Sequence, residues 1–133
     1  MLSASHIAKI RAEVERAATA HLHAKDAKTA LSHCTDDVVA VSNTDLFPSR
    51  ESLAVDIGEY YRSLKRVTYA SWEDVRIHVI DESAAIFTAG FRYGFTAKDG
   101  RTTDLWGVWT ALFVLERGIW KIRVRHESFE QTP

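Results

Sequence analysis

The stretch Ala85-Ile86-Phe87-Thr88-Ala89-Gly90-Phe91-Arg92-Tyr93-Gly94-Phe95 decides the fold. Ala85, Phe87, Ala89, Phe91, Tyr93 and Phe95 fall at every second position, the period of a strand with one buried face and not that of a helix. On its N-terminal side, Asp81-Glu82 separates it from a run in which Val67, Tyr69, Val75, Ile77 and Val79 share a strand face. On its C-terminal side, Lys98-Asp99-Gly100 forms a turn, with Gly100 free to take the left-handed conformation of a bulged hairpin. A third strand runs from about Thr102 to Leu115, and Glu116-Arg117-Gly118 turns into a fourth that ends near Phe129. The second half of the chain is therefore an antiparallel meander.

The first half has a helical period. Ile7, Ile10, Val14, Ala18 and Leu22 recur at helical spacing and predict a helix over residues 4–24, capped by Ser3 or Ser5. Asp26 is an N-cap for a short second helix with Ala27, Ala30, Leu31 and Cys34 facing inward, ended by Asp36-Asp37. Val38-Val39-Ala40-Val41 is a buried strand, Asn43-Thr44-Asp45 with Pro48 a loop, and Ser49 caps a third helix carrying Leu53, Ile57, Tyr60 or Tyr61, and Leu64. Three helices, a short strand and a meander make an α+β domain, residues 1–133 in one unit, with helices on one face of a curved sheet.

Composition narrows the function classes. The 133 residues carry 17 basic and 18 acidic side chains, so a bulk nucleic-acid binder is not expected. One cysteine, Cys34, allows neither an internal disulfide nor a thiol metal cluster. His21 and His23 diverge on their helix, and His6, His33 and His78 lack partners at ligand spacing, so no metal is expected. No Gly-rich phosphate loop points to a cofactor. No run reaches the ~18 apolar residues of a membrane helix, and charges interrupt the N-terminal segment, so a cytoplasmic protein is the expectation. Aromatic content is high, with four tryptophans, four tyrosines and six phenylalanines. The third strand has apolar residues on both faces: Leu105, Trp109, Ala111 and Phe113 on one, Trp106, Val108, Leu112 and Val114 on the other. Helices can cover only one of them, and a homodimer packed through the sheet would cover the second.

Several local motifs occur in an order that carries a resemblance. They are Ala24-Lys25-Asp26, Thr35-Asp36-Asp37-Val38-Val39, Pro48-Ser49-Arg50-Glu51, Thr110, Gly118-Ile119-Trp120-Lys121-Ile122 and His126-Glu127-Ser128. Over its whole length the chain resembles the nuclear transport factor 2-like superfamily, in particular its SnoaL-like branch, with relatives of ketosteroid isomerase and of a kinase association domain. The resemblance implies a cystatin-like cone, with three N-terminal helices on the concave face of a curved mixed or antiparallel sheet. It also implies an apolar pocket for a small organic molecule at the wide mouth. It does not imply one reaction, because isomerases, cyclases, dehydratases, binding modules and assembly domains share the scaffold. Aligning Asp36-Asp37 puts the catalytic aspartate of ketosteroid isomerase at Ser42 and its tyrosine near Ala18. Neither residue can do that chemistry.

Candidate site residues follow from strand faces. Under strict alternation Trp120, Ile122, Val124, His126 and Ser128 share one face of the last strand, and Lys121, Arg123, Arg125 and Glu127 the other. His126 ends the apolar stripe and is the leading candidate for an acid/base group at the pocket mouth, with Ser128 beside it. The plainer alternative is a histidine satisfied by a backbone carbonyl or a cross-strand partner. A two-residue turn at Arg117-Gly118 sets Trp109 opposite His126. A turn one residue longer sets Val108 there and Trp106 opposite Ser128. Asp104 could orient the imidazole or stand solvated at a strand end, and Trp106 and Trp109 serve core, interface or pocket wall. Arg92, between Gly90 and Gly94, could hold a carboxylate or pair with an acidic residue across a dimer, and the glycines leave room for a ligand or a crossing side chain. One of Tyr60 and Tyr61 packs on the sheet with its hydroxyl near the cavity.

Overall fold

The structure is a computed structural model covering residues 1–133. Helix α1 spans Ala4–Leu22, α2 Ala27–Ser32 and α3 Arg50–Ser63; strands are β1 Cys34–Ser42, β2 Asp45–Phe47, β3 Leu64–Asp81, β4 Ala84–Ala97, β5 Thr102–Glu116 and β6 Ile119–Gln131. The three helices start where side-chain oxygens satisfy their first free N–H groups: Ser3 accepts from the His6 N–H, Asp26 from Thr29, and Ser49 forms a reciprocal box with Ser52. One sheet holds all six strands in the order β2-β1-β6-β5-β4-β3, and β1 runs parallel to β6 while the other neighbours are antiparallel. No helix is long and apolar enough to cross a membrane.

Ile10, Val14 and Ala18 of α1 and Leu53 and Ile57 of α3 meet Ala85, Phe87, Ala89, Phe91, Trp109, Ala111 and Phe113 on the concave face of the sheet. Trp72, Phe87 and Trp109 form the aromatic centre, with ring centroids 5.1–5.7 Å apart. Arg50 of the Pro48-Ser49-Arg50-Glu51 motif is structural: its Nη1 donates to the carbonyls of Cys34 and Thr35 at 3.1 and 3.3 Å.

Four details differ from the expectations. Cys34 begins β1 instead of closing α2, so the strand is longer than Val38–Val41. Asp45–Phe47, expected within a loop, returns as the short strand β2 after a turn in which Asn43 has φ +52°. In β3, Asp74 has φ +51° within a register shift, so the inward residues change from Trp72 to Val75, Ile77 and Val79; a second shift separates Val67, opposite Phe95 but 38% exposed, from Tyr69, which stands opposite Gly94 on the convex side. In β6 the ladder with β5 slips between Phe113↔Ile122 and Leu112↔Val124, leaving Arg123 as an extra residue.

Candidate functional site

The slip at Arg123 decides which side chains enter the cone. The Arg117-Gly118 turn has two residues, both at positive φ (+52° and +80°), as a tight hairpin requires. Trp120 and Ile122 are buried accordingly. Beyond the bulge the faces exchange, so Arg125, Glu127 and Phe129 line the concave cavity and His126 and Ser128 stand on the convex face. Thr110 is opposite His126, and Trp109 is opposite Glu127. Neither register weighed from the turn length alone includes this extra residue.

The cavity has a volume of about 430 Å3, in the range of small-molecule sites. Its apolar walls come from α3 and the concave strands: Ile57, Trp72, Phe91, Leu105, Trp109 and Phe129. Its polar end is built around Arg125, whose Nη1 lies 3.0 Å from Nε2 of His21 and whose Nη2 lies 3.5 Å from Oε1 of Glu127. Both members of that ion pair are largely buried, at 11% and 20% exposure. Burial pushes the Glu127 carboxyl above the usual carboxylate range, with Arg125 pulling the other way. Burial likewise raises Asp56, another lining residue. Two buried donors have no partner, Nε of Arg125 and Nε1 of Trp72, and both residues line this cavity. A buried unpaired donor costs free energy, and a ligand acceptor would recover it.

Tyr60 of α3 and Tyr93 of β4 join hydroxyl to hydroxyl at 2.5 Å. Burial raises both above the ordinary tyrosine range, so both stay protonated: one hydroxyl donates to the other, and the accepting hydroxyl keeps its own proton free. Tyr61 also lines the cavity, its hydroxyl donating to the Ala24 carbonyl at 2.8 Å and its pKa pushed up to about 12, mainly by burial. The adjacent tyrosines both reach the cavity, their rings meeting edge to face at 4.9 Å. The β1–β2 turn holds the far end of β6: the Asn43 N–H donates to the Glu127 carbonyl at 2.9 Å, and its Oδ1 accepts from the Phe129 N–H at 2.8 Å.

The expected site residues divide cleanly. Ser42, Tyr60 and Trp109 line the cavity. His126 and Ser128 do not; both are exposed, their Nε2 and Oγ 3.5 Å apart on the other side of the sheet. Asp104 accepts from the Tyr69 hydroxyl at 2.8 Å, so it orients no imidazole. Arg92 pairs with Glu73 of the same chain at 3.0 Å. Gly94 makes room for a crossing side chain, that of Tyr69. Trp106 is 38% exposed, beside Val108 at 53%, both outward-facing on β5, and Val124 of the neighbouring β6 is 42% exposed. His21, Arg125, Glu127, Asp56 and Tyr93 are the residues that the sequence reading missed as site groups. The available signal was Phe129, an aromatic where unbroken alternation puts the charged face.

This helix-lined cone agrees with what the chain matches. The model of the SnoaL-like domain matches residues 10–131. The chain belongs to the SnoaL-like domain family. Among solved structures, a candidate scytalone dehydratase from Novosphingobium aromaticivorans superposes with TM-score 0.89 at 12% identity, covering 98% of this chain and 91% of the other. A ketosteroid isomerase-like protein from Erwinia carotovora atroseptica gives TM-score 0.75 at 20% identity, with 92% and 96% covered. A hexachlorocyclohexane dehydrochlorinase from Novosphingobium barchaimii gives 0.78 at 14%, with 98% and 94% covered. At these identities the likeness is one of fold. Among curated proteins none matches the chain significantly.

Proposed function

We propose that this SnoaL-like protein binds a small, largely apolar organic molecule and catalyses a proton transfer on it without a cofactor, as an isomerase, cyclase or dehydratase would. The observation that carries the reading is the Glu127 carboxyl, buried in an aromatic-walled cavity 3.5 Å from Arg125 and raised above the ordinary carboxylate range by that burial. In this scheme the Glu127 carboxylate takes a proton from a carbon beside a ligand carbonyl. The C–H electron pair moves onto the carbonyl oxygen, and the enolate is held by Arg125 with a hydroxyl of the Tyr60–Tyr93 pair. The proton returns to a carbon, and net isomerisation or elimination depends on the ligand. The acid/base role thus passes from His126 to Glu127.

The test uses 2-tetralone, a bicyclic ketone with exchangeable α-protons. In deuterated buffer the protein is expected to accelerate α-deuteration, read by mass spectrometry. Glu127→Gln should abolish the acceleration and His126→Ala should leave it intact. Loss in His126→Ala alone would return the role to the convex face.

The convex face supports a second reading, compatible with the first. Trp106, Val108 and Val124 are exposed apolar side chains on adjacent strands of that face, and a second copy of this chain is the occupant we propose, giving a homodimer through the sheet.

A further inference from the structure

A guanidinium only donates hydrogen bonds, so the Arg125 contact makes Nε2 of His21 an acceptor and places the imidazole proton on Nδ1. That Nδ1 is 3.2 Å from Nδ1 of His33, in the turn between α2 and β1. His33 must then accept, with its own proton on Nε2. Arg125, His21 and His33 therefore have one consistent protonation pattern, in which both imidazoles are neutral. Burial, then Arg125, then His33 hold His21 well below the ordinary histidine range. His33 is half-buried and lowered by burial. At the cavity end of this chain the Arg125 Nε–H is buried and has no acceptor.

We infer that His21 and His33 are positioning residues for the cavity: neutral His33, by accepting from His21, holds Arg125 with its Nε–H free for a ligand oxygen, and a proton on His33 releases it. The inference rests on the cavity being a small-molecule site. A protonated His33 carries hydrogen on both nitrogens, so two Nδ1–H groups face each other and the contact is lost. His21 can answer only by moving its proton to Nε2, where it confronts Arg125. Besides His21, the groups that feel the Arg125 charge are Cys34, Asp56, Tyr61 and Glu127. Of these, Asp56 and Glu127 also change charge on the acid side. Ligand affinity should fall as pH drops through the titration of His33, which lies below the ordinary 6.5.

The decisive experiment needs no ligand. Ring-nitrogen NMR of histidine-labelled protein at neutral pH should show His21 protonated on Nδ1 and His33 on Nε2, with the pattern collapsing on acidification. A His21 protonated on Nε2 overturns the inference whatever the cavity binds. Affinity for 2-tetralone, followed by tryptophan fluorescence, gives the second arm. His33→Asn keeps an acceptor where Nδ1 stands and cannot titrate, whereas His33→Leu removes the acceptor. The leucine variant should bind about tenfold more weakly, the loss of a charge-assisted contact. The asparagine variant should bind as the parent does at neutral pH and lose the His33 part of the acid-side fall, keeping the part that belongs to Asp56 and Glu127. Unchanged affinity in the leucine variant would overturn the inference. If 2-tetralone binds none of them, the small-molecule reading fails while the tautomers still decide the histidine chain.

Discussion

Trp109 of β5 stands opposite Glu127 of β6, one residue away from the His126 that the two-residue turn alone would place there. The extra residue is Arg123, its guanidinium 3.4 Å from Asp37 of β1. Deleting Arg123 should restore the unbroken ladder, turning His126 and Ser128 into the cone and Arg125, Glu127 and Phe129 out of it. Losing the partial burial of Phe129 alone costs about 1 kcal/mol, below the ~1.5–3 kcal/mol of a fully buried side chain. Urea denaturation of the deletion variant should show at least that loss. Retained stability with retained 2-tetralone binding would mean that the bulge does not set the site.

The helices and turns were legible because their chemistry is local. Ser3, Asp26 and Ser49 cap where a side-chain oxygen precedes an apolar period, and Gly118 takes the positive φ that a tight hairpin demands, carrying Arg117 with it. The strand faces were legible only as far as each bulge. One inserted residue, Asp74 in β3 or Arg123 in β6, changes no composition and leaves each half-strand well patterned, yet it exchanges the faces beyond it. Trp109, on the unbroken β5, lines the cavity, while His126, beyond the bulge of β6, stands on the convex face. The His21–Arg125 contact joins residues 104 positions apart, beyond any reading of local spacing.

Glu127→Gln should stabilise the protein at neutral pH. The folded-state pKa of Glu127 lies above its ordinary 4.5, so the folded state holds its proton more tightly than the unfolded one. That contribution is fully present below the ordinary value and is lost as pH rises through the folded value. Removing the charge should gain about 1 kcal/mol near neutrality, as replacing functional groups commonly does. Thermal melts of the two proteins should diverge progressively as pH is raised from 4.5. A lower Tm for the variant at neutral pH would mean that the Arg125 ion pair outweighs the burial and would withdraw support from Glu127 as the base.

Val108→Lys should separate association from ligand binding. Val108 is exposed on the convex face, opposite Ser128, with Trp106 on the same face of β5. A lysine at the centre of an apolar sheet interface would bury an unpaired charge, costing several kcal/mol. Light scattering after size exclusion should find the parent dimeric and the variant monomeric, with unchanged circular dichroism and unchanged 2-tetralone affinity. A monomeric parent would refute the sheet-mediated dimer.

Two glycine substitutions should differ in cost and in reach. A Cβ at Gly94 would lie 2.3 Å from the ring of Tyr69, but that residue is 42% exposed and can swing away, giving up its bond to Asp104. Gly94→Ala should therefore cost about 1 kcal/mol. A Cβ at Gly107 would lie 2.0 Å from the backbone oxygen of Ser128 and 2.7 Å from Cα of Phe129, and paired backbone cannot move aside. Gly107→Ala should cost about 3 kcal/mol or more in urea denaturation. Because Gly107 pairs with Phe129, which walls the cavity two residues beyond Glu127, the displaced strand should also weaken 2-tetralone binding. Gly94→Ala, whose clash falls on the convex side, should leave that binding unchanged.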